Sequence, residues 1–168
     1  LGDVYKRQVT DWDNERTFRV TSYNGDAREY TYKVVKSEIE SDGDVELKTT
    51  EEVASFAATK TTVVKGNLII GSDAEEAEKI TDISALASLK EVTGNIVIRN
   101  SYNGADLTGL DNIVSAGGLQ VGSTDVASKA TELHMISMKA LETLSGDISV
   151  YNDQVTYVLF EKLATIEG

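Results

Sequence analysis

One phrase of sequence recurs along the chain, and it constrains the fold more than any other feature. In LASLKEVTGNIVI, residues 86–98, an apolar residue stands at every third position before Gly94, and Ile96 and Ile98 stand at alternate positions after it. This pattern is typical of an apolar-faced coil that leads through a glycine into a short, half-buried strand. The phrase returns, complete or in part, at residues 63–70, 107–121, 138–150 and 160–168.

The copies follow one another at intervals of roughly 22 to 29 residues, the range of leucine-rich-type repeats. One copy buries about five apolar side chains, which contributes roughly 8–15 kcal/mol. Ordering its backbone costs on the order of 25–50 kcal/mol, so a single copy cannot fold alone. The copies must stack and share an apolar face. We therefore predict a mainly β solenoid in which Leu89 and Leu141 occupy equivalent core positions.

The copy at residues 107–121 departs from the others. We align Ile113 with Val92, which leaves two extra residues before Gly117. We interpret the glycine of each copy as the residue that lets the chain turn tightly into its strand.

The two ends of the sequence lead to separate predictions. The opening LGDVYKRQ, residues 1–8, reads as the translation of a sequencing adaptor, so we exclude it from the fold. We expect the last repeat to stop at Gly168 before its strand, which leaves the repeat domain truncated there. The edge formed by Ile148 and Val150 then lacks its next partner, and we expect the chain to associate through it.

Residues 9–36 have a different pattern. Apolar and polar residues alternate on both sides of Asn24-Gly25-Asp26, which predicts a β-hairpin with a tight turn. A lone hairpin is not stable in water. This segment resembles the last two strands of the immunoglobulin- or cadherin-like sandwiches of bacterial surface proteins. That resemblance implies that the hairpin is part of a larger, truncated domain.

Two segments connect the hairpin to the repeats. Residues 37–48, SEIESDGDVELK, are acidic and show no apolar periodicity, so we predict a solvated linker. Thr49 followed by Glu52 is a capping box, which predicts a short helix over residues 50–58. Its Val53 and Phe56 would cover the open apolar end of the solenoid.

The repeat region resembles a known family. The stretch TTEEVASFAATKTTVVKGNLII is similar to the opening of a receptor L domain, and LASLKEVTGNIVI and LETLSGDISV match the repeat of that family. The resemblance covers residues 49–168. It implies a right-handed β-helix related to leucine-rich repeats, with a short N-terminal capping helix, in a secreted or surface protein. The chain has no cysteine, unlike the disulfide-linked eukaryotic members, and this favours a bacterial outer-surface protein, with lipid anchoring as one route of attachment.

Composition excludes several classes of function. The net charge of -12 argues against nucleic acid as a partner, because phosphates would repel it. No apolar run is long enough to span a membrane. We find no cofactor motif. With His134 as the only histidine and no cysteine, the usual zinc sites are excluded.

Small polar residues recur after each strand. They stand six and seven residues beyond the repeat glycines, and we expect them to form a ladder: Ser72, Asp73, Asn100, Ser101, Ser123, Thr124, Asn152 and Asp153. The favoured interpretation is structural, with side chains bonded to turn backbone and to neighbouring repeats. The alternative is a ligand or calcium edge that uses Asp73, Asn100 and Asp153.

Exposed aromatic residues suggest where a ligand would bind. We expect the tyrosines of the repeats to lie just after strands, beside amides and a carboxylate, and the candidate ligand-binding residues are Tyr102, Asn103, Tyr151, Asn152, Asp153 and Tyr157. Tyrosine and amide side chains suit a surface glycan or a protein epitope. The alternative for the tyrosines is that they only cover the corners of the repeats.

Two classes of function follow. The favoured one is a non-catalytic recognition or envelope-structure module, displayed beside other immunoglobulin-like or repeat domains. The alternative is a polysaccharide-processing enzyme of the parallel β-helix type, which needs carboxylates and a base on one face. Arg99 and Lys129 are the isolated basic residues available to it.

Overall fold

The computed structural model describes residues 15–33, 38–124 and 132–168. The chain divides into two compact units, Leu1–Ser37 and Glu38–Gly168. The described residues are mainly β, with a single α-helix of nine residues among them. No helix within these residues combines the length and apolarity needed to cross a membrane.

The first unit contains the predicted hairpin. Strand β1 (Arg16–Thr21) pairs antiparallel with β2 (Ala27–Tyr32). Gly25 takes a φ of 90° in the turn, which L-residues rarely adopt. Phe18 stacks on Tyr30 across the strands at a ring distance of 5.5 Å. The hairpin is confirmed, while the sandwich around it stays a prediction.

The second unit contains ten strands in its described part. In chain order its elements are β3 (Val45–Leu47), α1 (Thr50–Ala58), β4 (Val63–Val64), β5 (Leu68–Ile70), a 3₁₀ turn (Ser84–Leu86), β6 (Glu91–Ile98), β7 (Ser115–Val121), β8 (Met135–Ser137), β9 (Thr143–Leu144), β10 (Ile148–Val150), β11 (Tyr157–Leu159) and β12 (Thr165–Ile166). Eight of these strands form one sheet, and β8 and β11 form a second.

Every strand pair of this unit is parallel, and the register follows the repeats. One series, β3, β5, β6, β7 and β10, aligns Val45, Leu68, Ile96, Leu119 and Ile148. A second series joins β4, the start of β6, the start of β7, β9 and β12. Each repeat therefore lies beside the next one along the chain, as stacking requires.

The apolar positions of the repeats form one core. Leu89 and Leu141 are both fully buried, as predicted, and each donates its backbone N–H to the carbonyl three residues earlier. Burial falls toward the last repeat, where Phe160 and Leu163 are half-buried and Ile166 is exposed.

The alignment proposed for the copy at residues 107–121 is wrong. Ala116, not Ile113, pairs with Val92, so the copy has no extra residues before its glycine. The irregularity lies in the neighbouring strand, where the register shifts between Val92 and Asn95. A small alanine had taken the place of a large apolar residue, and the sequence pattern alone did not reveal it.

The predicted helix is confirmed over residues 50–58. The Thr49 hydroxyl oxygen accepts the N–H of Glu52 at 3.1 Å, while the Glu52 carboxylate accepts the N–H of Lys48. The helix buries Val53 and Ala57 in the core, and Phe56 packs against it. It connects β3 to β4, so it lies within the first turn of the ladder rather than beyond its end.

The prediction of a solvated linker over residues 37–48 is wrong for its second half. Residues 45–47 form β3, which pairs with β5 and buries Leu47. Asp44 also bonds the next repeat, because its Oδ1 accepts the N–H of Asn67 at 2.7 Å. Residues 38–48 therefore begin the repeat unit, and acidic side chains had masked a strand with a single large buried residue.

The repeat glycines serve a different purpose from the one predicted. Gly94, Gly117 and Gly146 do not have left-handed backbone. They lie against the preceding repeat: a Cβ on Gly117 would lie 2.6 Å from Gly94 O, and one on Gly146 would lie 2.7 Å from Gly117 O. Close approach of backbones excludes a side chain here.

Candidate ligand-binding edge

The ends of the first strand series meet along one edge of the sheet. Because parallel strands end on the same side, the residues that follow β5, β6, β7 and β10 lie next to one another. We call this surface the exit edge, and it consists of residues 71–73, 99–101, 122–124 and 151–153. It contains all eight residues of the small polar ladder predicted from the sequence.

Glycine alternates with a large side chain at the first position of the exit edge. Arg99 donates its N–H to Ile70 O, and Tyr151 donates its N–H to Val121 O at 2.7 Å. Between them, Gly122 takes a φ of 78°, and a Cβ there would lie 3.4 Å from the Cβ of Tyr151. Gly71, with a φ of 88°, lies in the same way beside Arg99. The two large side chains therefore stand over the glycines of the preceding repeats.

Asp73 links two repeats along the exit edge. Its Oδ2 accepts from Arg99 Nη1 at 2.7 Å, and its Oδ1 accepts the N–H of Asn100 at 3.1 Å. In the same turn, the Ser101 hydroxyl oxygen accepts the N–H of Ser72 at 2.9 Å. These bonds confirm the structural interpretation of the ladder at these positions.

The calcium alternative has little support from these contacts. Both carboxylate oxygens of Asp73 already accept protein donors. Among the described residues, no three His, Cys, Asp or Glu side chains are grouped so that they could hold a metal ion.

Three of the predicted ligand residues follow β10. Tyr151 is 44% exposed and Asp153 is exposed, but Asn152 is buried. The Asn152 Oδ1 accepts the N–H of Gln154 at 2.9 Å, and Gln154 Nε2 donates to Asp153 Oδ1 at 3.0 Å. Asn152 therefore shapes the loop that presents Tyr151 and Asp153.

The expected exposure of Tyr102 is wrong, since only 2% of the residue is accessible. Its hydroxyl donates to the backbone oxygen of Asp106. Its ring also fills the space beside Gly104, where a Cβ would lie 2.6 Å from Tyr102 Cζ. Burial raises the pKa of the hydroxyl, and the charges of Asp106 and Asp82 add to the effect. Tyr102 is therefore a core residue and cannot contact a ligand directly.

Asn103 and Tyr157 lie away from the exit edge. Asn103 is half-buried beside Tyr102, and its N–H bonds Ile80 O at 2.7 Å. Tyr157 is 54% exposed, but it begins β11 and pairs with Met135 rather than following a strand. The structure thus brings together Tyr151, Asn152 and Asp153, and it places the other three candidates elsewhere.

The basic residue Arg99 and the single histidine, His134, both have protein partners in the structure. Arg99 is paired with Asp73, and Lys129 lies outside the described residues. His134 is exposed, and its Nδ1 lies 3.2 Å from Gln154 O. Arg99 was not predicted from the sequence as a residue of the exit edge. Its position could have indicated this, because Arg99 follows Gly94 by five residues, as Tyr151 follows Gly146.

The parallel strand ladder of the second unit thus ends in a polar edge that carries one exposed tyrosine, Tyr151, within the described residues. Residues 60–127 match the family model of the receptor L domain. Receptor L domains are extracellular modules that bind ligands, and this stretch of the chain is receptor L-domain-like. No curated protein and no solved structure matches the chain.

Proposed function

We propose that the repeat unit is a non-catalytic recognition module on a bacterial cell surface, built as a right-handed β-helical solenoid. It binds a glycan or protein ligand at the exit edge. The parallel register of five successive strands, β3, β5, β6, β7 and β10, supports the solenoid. The receptor L-domain match supports binding outside the cell.

The exposed ring of Tyr151 is the observation that carries the proposal. A backbone hydrogen bond to Val121 and contact with Gly122 fix its position, while 44% of the residue remains accessible. A tyrosine held in this way offers apolar area at low entropic cost. Asp153 and Gln154 stand beside it with polar groups suited to hydroxyl or amide partners.

The contact residues of the proposal are Tyr151 and Asp153. Asn152 acts indirectly, because its side chain bonds the backbone of the loop. An enzymatic function gains no specific support, since Arg99, the basic residue at this edge, is engaged by Asp73.

A binding screen tests this proposal. The chain and its Tyr151→Ala and Asp153→Ala variants are applied to a glycan array and to a panel of extracellular proteins. We expect each variant to lose at least about tenfold in affinity for any ligand found, or about 1.4 kcal/mol. The matched control is Tyr23→Ala, which removes an exposed tyrosine from the hairpin turn. Equal binding by wild type and both folded edge variants would reject the exit edge as the site.

A further inference from the structure

The outer face of β7 has a side chain at only one of three successive positions. Leu119 and Val121 are buried in the core, so the alternate residues Gly118, Gln120 and, just after the strand, Gly122 face outward. Two of these three residues are glycines. We call this strip, residues 118, 120 and 122, the β7 furrow, and its length along the strand is about 13 Å.

The strands on either side of β7 form the walls of the furrow. Strand β6 pairs with one side of β7, and β10 pairs with the other. Neighbouring strands lie about 4.8 Å apart, so the two walls are separated by the width of a single strand on each side. The furrow opens at the exit edge and continues back along β7. The residues that flank its three positions are Asn95, Val97 and Arg99 on one side and Asp147, Ser149 and Tyr151 on the other.

Three side chains follow one another along the furrow. A Cβ on Gly118 would lie 2.7 Å from Asn95 Oδ1, so the Asn95 amide lies against this glycine. Gln120 occupies the middle, and its Nε2 donates to Gly122 O at 3.0 Å. Tyr151 stands at the exit edge, with its Cβ 3.4 Å from the Cβ position on Gly122. The furrow therefore presents an amide, a second amide and a tyrosine in line.

The two amides keep capacity for further hydrogen bonds. An amide side chain has two N–H donors and one oxygen acceptor, and the bond to Gly122 uses a single N–H of Gln120. Asn95 is exposed and Gln120 is half-buried, so both can be reached from outside. The hydroxyl of Ser149, which is also half-buried, lies beside Gln120 in the register.

The charges around the furrow disfavour an anionic ligand. An exposed carboxylate stands at each end, Asp147 beside Gly118 and Asp153 on the exit edge. Arg99 does not offset them, because Asp73 neutralises it. The net charge of the chain is -12, which adds to the repulsion.

The furrow also lacks the features that a protein ligand requires. Large apolar and aromatic residues dominate the binding energy of protein interfaces. Here Tyr151 is the accessible one, since only 8% of Val97 is exposed. A peptide strand would need unpaired backbone groups, but β7 is paired on both sides. The remaining contacts are directional polar groups.

We propose that the β7 furrow binds a neutral, linear glycan. One sugar ring packs on Tyr151, and the hydroxyls of the following rings bond to Gln120 and Asn95. An aromatic ring suits the apolar face of a sugar, and amides can both donate to and accept from hydroxyls. This inference rests on the proposed function, because the furrow starts at the exit edge. It narrows the ligand to a glycan and adds two contact residues that lie outside that edge.

A titration of the full chain with neutral oligosaccharides, followed by NMR, tests the inference. The probes are linear gluco-, manno- and xylo-oligosaccharides from the monosaccharide to the hexasaccharide. We expect the side-chain NH₂ signals of Asn95 and Gln120 and the backbone signals of Gly118 and Gly122 to shift. Affinity should rise about tenfold from disaccharide to tetrasaccharide, because the longer chain adds hydrogen bonds to the amides. Equal affinity at all lengths, or no shift of these signals with any probe, would overturn the inference.

Two variants measure the contribution of the amides. Asn95→Ala and Gln120→Leu should each weaken binding of the tetrasaccharide about five- to tenfold, with little effect on the monosaccharide. The control is Asn112→Ala, which removes an exposed amide outside the furrow and should bind like wild type. Circular dichroism checks that each variant is folded. The NMR shifts of the unmodified chain test the same contacts independently of any variant.

The outcomes separate this inference from the proposed function. Binding that is lost in Tyr151→Ala but unchanged in Asn95→Ala and Gln120→Leu would overturn the furrow and leave the exit edge as the site. A protein ligand at Tyr151, or a glycan that binds only when it carries carboxylate or sulfate groups, would likewise overturn the neutral glycan and leave the exit edge in place.

Discussion

Asp73 bonds Arg99 of the following repeat, with 2.7 Å between Oδ2 and Nη1, while its other oxygen accepts the N–H of Asn100. One carboxylate therefore satisfies a guanidinium and a part-buried backbone donor. Both side chains remain partly accessible, at 33% for Arg99 and 23% for Asp73. The loss of the two bonds should have different consequences, because the Arg99 guanidinium can turn toward water, whereas the Asn100 N–H is fixed in the half-buried backbone.

Removal of Asp73 should cost more stability than removal of Arg99. Asp73→Ala leaves the Asn100 N–H unpaired, and we expect a loss of about 1–3 kcal/mol. Arg99→Ala breaks only a partly exposed ion pair, so we expect about 0.2–1 kcal/mol. Urea denaturation followed by circular dichroism measures both. The order of the two values is the criterion, and a larger loss for Arg99→Ala would show that contacts of Arg99 other than this ion pair outweigh the Asn100 hydrogen bond.

The equivalent leucines of two repeats should be equally important for stability. Leu89 and Leu141 are fully buried, so each change to alanine should cost about 2–5 kcal/mol. Val114→Ala is the control, because Val114 is 40% exposed. A loss below about 1 kcal/mol at both leucines, measured by chemical denaturation, would mean that they do not share a core.

Gly117→Ala should destabilise the fold despite an ordinary backbone conformation. Its new Cβ would lie 2.6 Å from Gly94 O, and overpacking of this kind costs about 1–3 kcal/mol. The sign of the change in unfolding free energy distinguishes two explanations for this glycine. Without the close approach, alanine would stabilise the folded protein by about 0.4–1 kcal/mol, because it lowers the conformational entropy of the unfolded chain. Thr93→Ala, at an exposed neighbour, is the control, and a raised melting temperature for Gly117→Ala would contradict the packing.

The features found from the sequence are those with strong local signals. The helix over residues 50–58 follows from Thr49 and Glu52, whose capping interactions join residues only three or four positions apart in the chain. The core positions Leu89 and Leu141 follow from periodicity, because repeated burial leaves a repeated apolar pattern. The mainly β character of the chain follows from the same repeats.

The features missed depend on contacts between repeats. Strand β3 has one large buried residue, Leu47, and its acidic neighbours hide the periodicity. The sequence feature that could have revealed β3 is Gly43-Asp44, which is equivalent to Gly66-Asn67 in the next repeat. The burial of Tyr102 depends on the space beside Gly104, which no local pattern encodes. Of the six candidate ligand residues, only Tyr151, Asn152 and Asp153 lie on the exit edge. Tyr102 and Asn103 come after it and bond to Ile80, and Tyr157 begins β11.

Stability should fall at high pH because of Tyr102. Burial raises the pKa of its hydroxyl above the ordinary value of 10.0. Above that value the unfolded chain releases a proton that the folded chain retains, so the unfolding free energy decreases as pH rises, and it is unaffected below. Tyr102→Phe should remove this slope, at a cost of about 0.5–1.5 kcal/mol at neutral pH from the lost bond to Asp106. Denaturant titrations between pH 8 and 11, at roughly half-unit steps, compare the two proteins, with Tyr151→Phe as the exposed control. An identical alkaline slope in wild type and Tyr102→Phe would show that another group controls it.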